Sequence, residues 1–149
     1  MGCVWSSADL VGGGYRIKII KQIAEGGFSQ VLLCSDIDGG EQFAVKKIAN
    51  HSRESGERIA NETSIQRQLM DVNAHNVVPL LATITADHAV YLVFPFYKRG
   101  SVGDDLLRRR PRSDHLSQAQ VIRIFHGLCE AVRALHQLGY VHRDLKRIY

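Results

Sequence analysis

Tyr140-Val141-His142-Arg143-Asp144-Leu145-Lys146, seven residues near the C-terminus, decide how the rest of the chain is read. An apolar pair leads into His-Arg-Asp-Leu-Lys, a string suited to a catalytic loop for phosphoryl transfer. In that chemistry an Asp orients a substrate hydroxyl and accepts its proton, while a Lys two places on stabilises the transferring group. Such a loop needs three partners upstream, in order: a Gly-rich loop, a strand lysine and a helix glutamate. Each has a candidate.

Tyr15–Ile23, Val31–Ser35 and Gln42–Ile48 are rich in Ile, Val, Leu and Phe and read as strands. The first two are joined by Ala24-Glu25-Gly26-Gly27-Phe28-Ser29-Gln30, the last two by the turn Asp38-Gly39-Gly40. A hairpin with small residues at its tip lets backbone N–H groups approach phosphate oxygens, because no Cβ intervenes. By itself that signal describes any tight turn. Ala44-Val45-Lys46 gives it a neighbour, a cation set on an apolar strand. The segment from Arg53 to Met70 has helical periodicity and carries Glu62, a carboxylate able to turn the Lys46 ammonium towards phosphates and away from water.

Asn73 to Pro79 stops that helix, and Leu80–Thr85 with Ala89–Phe96 form a further strand pair, five strands in sum. Pro95 ends ladder pairing and suits a hinge. Beyond it, Val102–Arg109 reads as a short helix. Ser117–Leu138 reads as a long amphipathic one, with Val121, Ile124, Phe125, Leu128, Val132 and Leu135 on its stripe and Gly139 as its stop.

The 149 residues suffice for one core, and 45% hydrophobic with 23% charged residues is a globular composition. The formal charge of +4 arises partly from Arg108-Arg109-Arg110-Pro111-Arg112, read as a solvated loop, with an acidic partner or lipid headgroups as the alternative. The run lacks the aromatic interleaving of a nucleic-acid binder, and no nucleic acid is expected as a partner. Cys3, Cys34 and Cys129 have neither disulfide-framework nor metal spacing and fit a reducing compartment. No apolar run reaches transmembrane length. Met1-Gly2-Cys3-Val4-Trp5-Ser6 matches the N-myristoylation pattern at Gly2, with Cys3 placed for a second acylation; an unmodified start is the alternative. Gly12-Gly13-Gly14 is expected as a flexible spacer after that anchor.

In this order and spacing, the Gly-rich hairpin, Ala44-Val45-Lys46, Glu62 and His142-Arg143-Asp144-Leu145-Lys146 resemble the eukaryotic protein kinase domain from about Tyr15 to Lys146. Glu25-Gly26-Gly27-Phe28-Ser29, Phe94-Pro95-Phe96-Tyr97-Lys98-Arg99-Gly100-Ser101 and the acylation start look like the numb-associated kinases, of the myristoylated and palmitoylated serine/threonine type. The resemblance implies an α+β fold: a kinase-like small lobe of a five-stranded antiparallel sheet plus one helix, then the first helices of a truncated helical large lobe. It divides the chain into a flexible anchor segment (1–14), small lobe (15–94), hinge (95–101) and the start of the large lobe ending in the catalytic loop (102–149).

The resemblance further implies ATP as cofactor, bound by Ile23, Ala24, Glu25, Gly26, Gly27, Phe28, Ser29, Val31, Ala44, Lys46, Phe94, Pro95 and Tyr97. Lys46 would pair with the phosphates and Glu62, Asp144 would be the catalytic base, and Lys146 would approach the γ-phosphate. Leu145-Lys146 is similar to the serine/threonine-specific pattern, with a protein substrate. The implied location is the cytoplasmic face of Golgi-type or plasma membranes, or the cytosol if the chain is unacylated. Ala24 and Ser29 stand where the general Gly-rich pattern has glycine. More serious, Arg147 and Tyr149 stand where the pattern has Pro and a metal-binding Asn, and no Asp-Phe-Gly occurs in the 149 residues. Mg2+ belongs to the complete family domain, and its protein ligands are missing here. These residues alone are therefore expected to be near background in catalysis; the alternative role is that of a catalytically dead, membrane-anchored short isoform that binds or competes. The apolar stripe of Ser117–Leu138 is expected to be left exposed.

Overall fold

A computed structural model describes residues 9–27 and 29–146. Gly2, Cys3, Phe28, Arg147 and Tyr149 lie outside the described residues. The chain divides into two compact units, Met1–Arg67 with Val78–Phe96, and Gln68–Val77 with Tyr97–Tyr149.

The first unit holds one antiparallel sheet of β1 (Leu10–Gly12), β2 (Tyr15–Gly26), β3 (Ser29–Asp36), β4 (Gln42–Ala49), β5 (Ala82–Ala86) and β6 (Ala89–Pro95), in the order β1-β2-β3-β4-β6-β5. Helix α1 (Arg53–Asp71) follows β4. Alternation along the strands sends side chains to two layers. Ile17, Leu32, Cys34, Phe43, Val45, Ile84, Tyr91 and Val93 form the larger layer, with the Tyr15 and Phe43 rings edge to face at 5.3 Å. Ile48, Val90 and Leu92 form the other with Leu80 and with Ile59 of α1. Burial of this kind pushes the Cys34 thiol up to about 12.

The sheet has six strands where five are expected. The extra one is β1, and Gly12-Gly13-Gly14 is not a free spacer: Gly12 ends β1, and Gly13 and Gly14 turn the chain into β2 with φ of 59° and 83°. A Cβ on Gly13 would lie 2.9 Å from the Cβ of Ala82, so β1 reaches β5 at the far end of the strand order and curls the sheet. At the β5–β6 tip Asp87 and His88 both take positive φ, the hairpin geometry that matches strand twist.

In the second unit, α2 (Val102–Arg109) runs into a 3-10 turn at Arg110–Arg112, and α3 (Gln118–Gln137) follows. Both helices start with a capping box, Ser101 with Asp104 and Ser117 with Gln120. Gly139, with φ of 82°, ends α3. The α3 side chain of Glu130 accepts a 2.9 Å hydrogen bond from Asn76 Nδ2. Of the six apolar side chains on the α3 stripe, Val121, Ile124, Phe125 and Leu128 are exposed, and Val132 and Leu135 are half-buried.

Candidate active site

Lys46 lies at the centre of the sheet. It sits on β4 between β3 and β6, directly opposite Val31 on one side and the fully buried Leu92 on the other. Directly opposed residues of antiparallel strands share a face, so Val31, Leu92 and Lys46 point the same way, as do Ala44, Leu33 and Phe94 one pair along. Helix α1 covers that face through Ile59 and carries Glu62 less than one turn further on. Lys46 Nζ donates to Glu62 Oε1 at 2.6 Å, and the two side chains are only 31% and 35% exposed. The sequence signal for this pair was a Lys on an apolar strand and Glu62 within an amphipathic helix that also carries Glu54 and Glu57; packing brings Lys46 and Glu62 into contact across sixteen residues.

The Gly-rich segment is a tight hairpin. The β2–β3 register pairs Ala24 with Val31, Glu25 with Gln30 and Gly26 with Ser29, with Gly27 in the turn; Phe28 lies outside the described residues. Strand β2 thus runs three residues further than the apolar pattern suggests. A Cβ built on Gly27 would meet nothing within 4 Å, and on Gly26 nothing closer than Ser29 at 3.7 Å. The backbone there is open to a ligand. Two register shifts interrupt the β2–β3 ladder, and Ile23 is the extra residue of the second, where a bulge turns its side chain to 40% exposure. Phe94 and Pro95 end β6 opposite Ala44 and Phe43. Tyr97, in the second unit, is exposed.

Within the second unit, the segment after α3 carries Asp144 and Lys146. Lys146 Nζ donates to Asp144 Oδ2 at 2.8 Å, and the Asp144 N–H donates to His142 Nδ1 at 3.3 Å. The Lys146 hydrogen bond, then its charge, hold the Asp144 carboxyl below its ordinary range. Arg143 takes φ of 63°, an uncommon conformation for a long side chain. Tyr140 matters more than the sequence reading allowed. Its hydroxyl accepts a 3.1 Å bond from Gln68 Nε2 near the end of α1 and so fixes the approach to the loop. Partners 72 positions apart leave no local signal.

The first unit fits a nucleoside triphosphate. It offers an open glycine tip, a cation with donors to spare beyond its carboxylate partner, and a sheet face whose small residue, Ala44, leaves room beside Val31 and Phe94. Divalent metal is a different matter: no group of three His, Cys, Asp or Glu side chains able to hold an ion occurs among the described residues.

The model of the protein kinase domain matches residues 17–148. The chain belongs to that family. It is 31% identical over 148 residues to serine/threonine-protein kinase 16 of Homo sapiens, a match covering 97% of this chain and 48% of the relative. The rat protein of the same name is 30% identical over 145 residues, with the same coverage, and calcium-dependent protein kinase 14 of Arabidopsis thaliana is 29% identical over 134 residues, covering 88% of this chain and 24% of the relative. The chain spans about half the length of the serine/threonine-protein kinase 16 relatives it matches. The expected α+β kinase fold, a small-lobe sheet with its helix followed by the first helices of the next lobe, is the one observed, with β1 added.

Proposed function

We propose that these residues form the ATP-binding small lobe and the start of the catalytic lobe of a serine/threonine protein kinase, one of the numb-associated type. The observation that carries the reading is the 2.6 Å Lys46–Glu62 pair on the sheet face shared with Val31, close to Ala44 and Phe94. A half-buried ammonium held by a carboxylate is oriented before any ligand arrives, and catalysis of phosphoryl transfer is almost entirely positioning and electrostatics. Lys46 binds the α- and β-phosphates, and the backbone at Gly26 and Gly27 covers them. Ile23, Ala24, Val31, Ala44 and Phe94 line the adenine side, and backbone groups at Pro95 and Tyr97 bond the base edge. Asp144, a carboxylate ionised at neutral pH with or without the lowering that Lys146 causes, accepts the proton of a protein Ser or Thr hydroxyl. Lys146 stands ready for the γ-phosphate once its bond to Asp144 is exchanged. Mg2+, when bound with ATP in a complete domain, neutralises charge developing on the phosphoryl group.

The same proposal takes the residues before β1 as anchor, β1 to residue 94 as small lobe (the expected boundary at 14 moves back because Leu10–Gly12 pairs with β2), 95–101 as hinge and 102–149 as the start of the large lobe. It takes Gly2 and Cys3 as acylation sites that hold the protein at the cytoplasmic face of a membrane. Arg147 and Tyr149, standing at the Pro and Asn positions of the pattern, favour a second reading for the 149 residues by themselves: nucleotide binding without turnover, in a membrane-bound competitor. Titration of the purified chain with a fluorescent ATP analogue tests the first reading. Saturable binding that Lys46→Met weakens supports it, and an analogue that binds wild type and K46M alike refutes it. Robust phosphorylation of a generic Ser/Thr peptide by the chain rules out the second reading. Failure of the chain to take up a labelled fatty acid in cells, with Gly2→Ala as the control, rules out the anchor.

A further inference from the structure

The positive charge of this chain is not spread evenly. Residues of the first unit carry eight Lys and Arg against nine Asp and Glu, those of the second eleven against six. The whole excess therefore belongs to the second unit. Within it, Lys98 to Arg112 concentrates six cations and two carboxylates.

Local pairing sharpens the imbalance. Asp104 is occupied by the α2 capping box, accepting from the backbone and hydroxyl of Ser101 at 2.6 and 2.7 Å. Asp105 accepts from Arg109 Nε at 2.7 Å and, more weakly, from Arg108 at 3.4 Å. Asp114, just beyond, also goes to Arg109, at 2.8 Å. Arg108 spends its shortest bond, 2.6 Å, on the carbonyl of Arg99. One arginine thus absorbs most of the neighbouring negative charge. The side chains of Lys98, Arg99, Arg110 and Arg112 are exposed and have no carboxylate or hydrogen-bond partner among the described residues. Interspersed with them stand three exposed apolar side chains, Tyr97, Val102 and Leu107.

We propose that this surface, from Tyr97 to Arg112, is a docking site for an anionic lipid headgroup layer. Long basic side chains reach lipid phosphates while exposed aromatic and aliphatic groups enter the headgroup boundary, a mixture suited to a membrane surface. A solely electrostatic acidic partner has no use for the apolar residues. Base stacking needs more aromatic rings than Tyr97 supplies. The surface rests on the membrane reading given above and adds a contact of its own to the acylation proposed at Gly2 and Cys3. It does not depend on acylation, so the two can fail separately.

The experiment uses the full chain made without acyl groups, sedimented with phosphatidylcholine vesicles with and without phosphatidylserine. Binding is expected only with phosphatidylserine and is expected to fall with added salt, as the screening length shrinks from about 10 Å at 0.1 M to about 3 Å at 1 M. Arg110→Gln with Arg112→Gln should lower the partition coefficient about fivefold for each charge removed. Lys18→Gln with Lys21→Gln, the same charge change on exposed positions of the first unit, should leave it unchanged. Three results overturn the proposal. One is equal binding to neutral vesicles, which would assign the affinity to exposed apolar residues such as those of α3. Another is equal loss in the two double variants, which would reduce it to net charge. The third is capture by soluble poly-glutamate that phosphatidylserine vesicles do not compete away, which would point to an acidic protein.

Discussion

Replacing Glu62 by Gln should weaken nucleotide binding about fivefold, and the loss should vanish when Lys46 is already gone. At 2.6 Å the pair has a gross attraction of about 2 to 6 kcal/mol for effective dielectric constants between bulk water and the protein surface. Both side chains keep about a third of their exposure, so desolvation, side-chain entropy and screening reduce the net value to about 1 kcal/mol. That net value is the orientation Glu62 gives Lys46. Glu62→Gln keeps an acceptor oxygen and removes the charge, which sets the fivefold figure. Lys46→Met removes the phosphate partner itself, a charge-assisted hydrogen bond of about 2 kcal/mol, or about thirtyfold in affinity. In K46M the carboxylate of Glu62 is left unpaired and repels incoming phosphates. The double variant should therefore bind at least as well as K46M. Fluorescence titration of the four proteins closes the cycle, with circular dichroism melts to show that each is folded. A double variant weaker than K46M by the full E62Q factor would mean that Glu62 acts on its own, and the positioning argument would be wrong.

Gly100 and Gly139 both sit at positive φ, 73° and 82°, but in different surroundings. Gly139→Ala meets no atom within 4 Å and should cost only the strain of the left-handed conformation, about 1 kcal/mol. Gly100→Ala adds a clash, its Cβ falling 2.5 Å from Asp104 Oδ2, and should cost clearly more by displacing the α2 cap; equal midpoints in urea denaturation would refute this. Cys34 should resist iodoacetamide in the native protein while the exposed Cys129 reacts, read by mass spectrometry. Its folded pKa of about 12 lies above the ordinary 9.0, so between those values the unfolded state has lost a proton that the native state keeps, and stability falls by up to about 1.4 kcal/mol per pH unit. Cys34→Ala should lose the part of that slope that begins at pH 9; an unchanged slope in alkaline denaturant titrations would be decisive against it. Lys146→Ala should let the Asp144 carboxyl rise towards its ordinary range, seen by NMR titration, and an unmoved value would show that the ion pair is not the cause.

Lys46 and Glu62 were legible in the sequence because each lies in a periodic element whose buried face is set by its neighbours. The β3 and β4 runs and the α3 period by themselves fix which way side chains point. Strand β1 was not legible. Leu10-Val11-Gly12 is too short to show alternation, and it becomes a strand through β2 pairing and the close approach of Gly12 and Gly13 to Ile84 and Ala82. The Tyr140–Gln68 bond was hidden for the same reason, since only tertiary packing joins its ends. The arginine run could be counted from the sequence, but which of its members Asp105 and Asp114 neutralise depends on helical phase and rotamer.

Because β1 begins at Leu10, the fatty acid proposed on Gly2 would leave a tether of only eight residue steps before the sheet. Fully stretched it spans roughly 28 Å, about the thickness of the hydrocarbon slab it would hold on to. On the proposed membrane reading, a lobe on so short a tether would stay in a shallow layer above the bilayer, favouring partners that are themselves bound to the same surface.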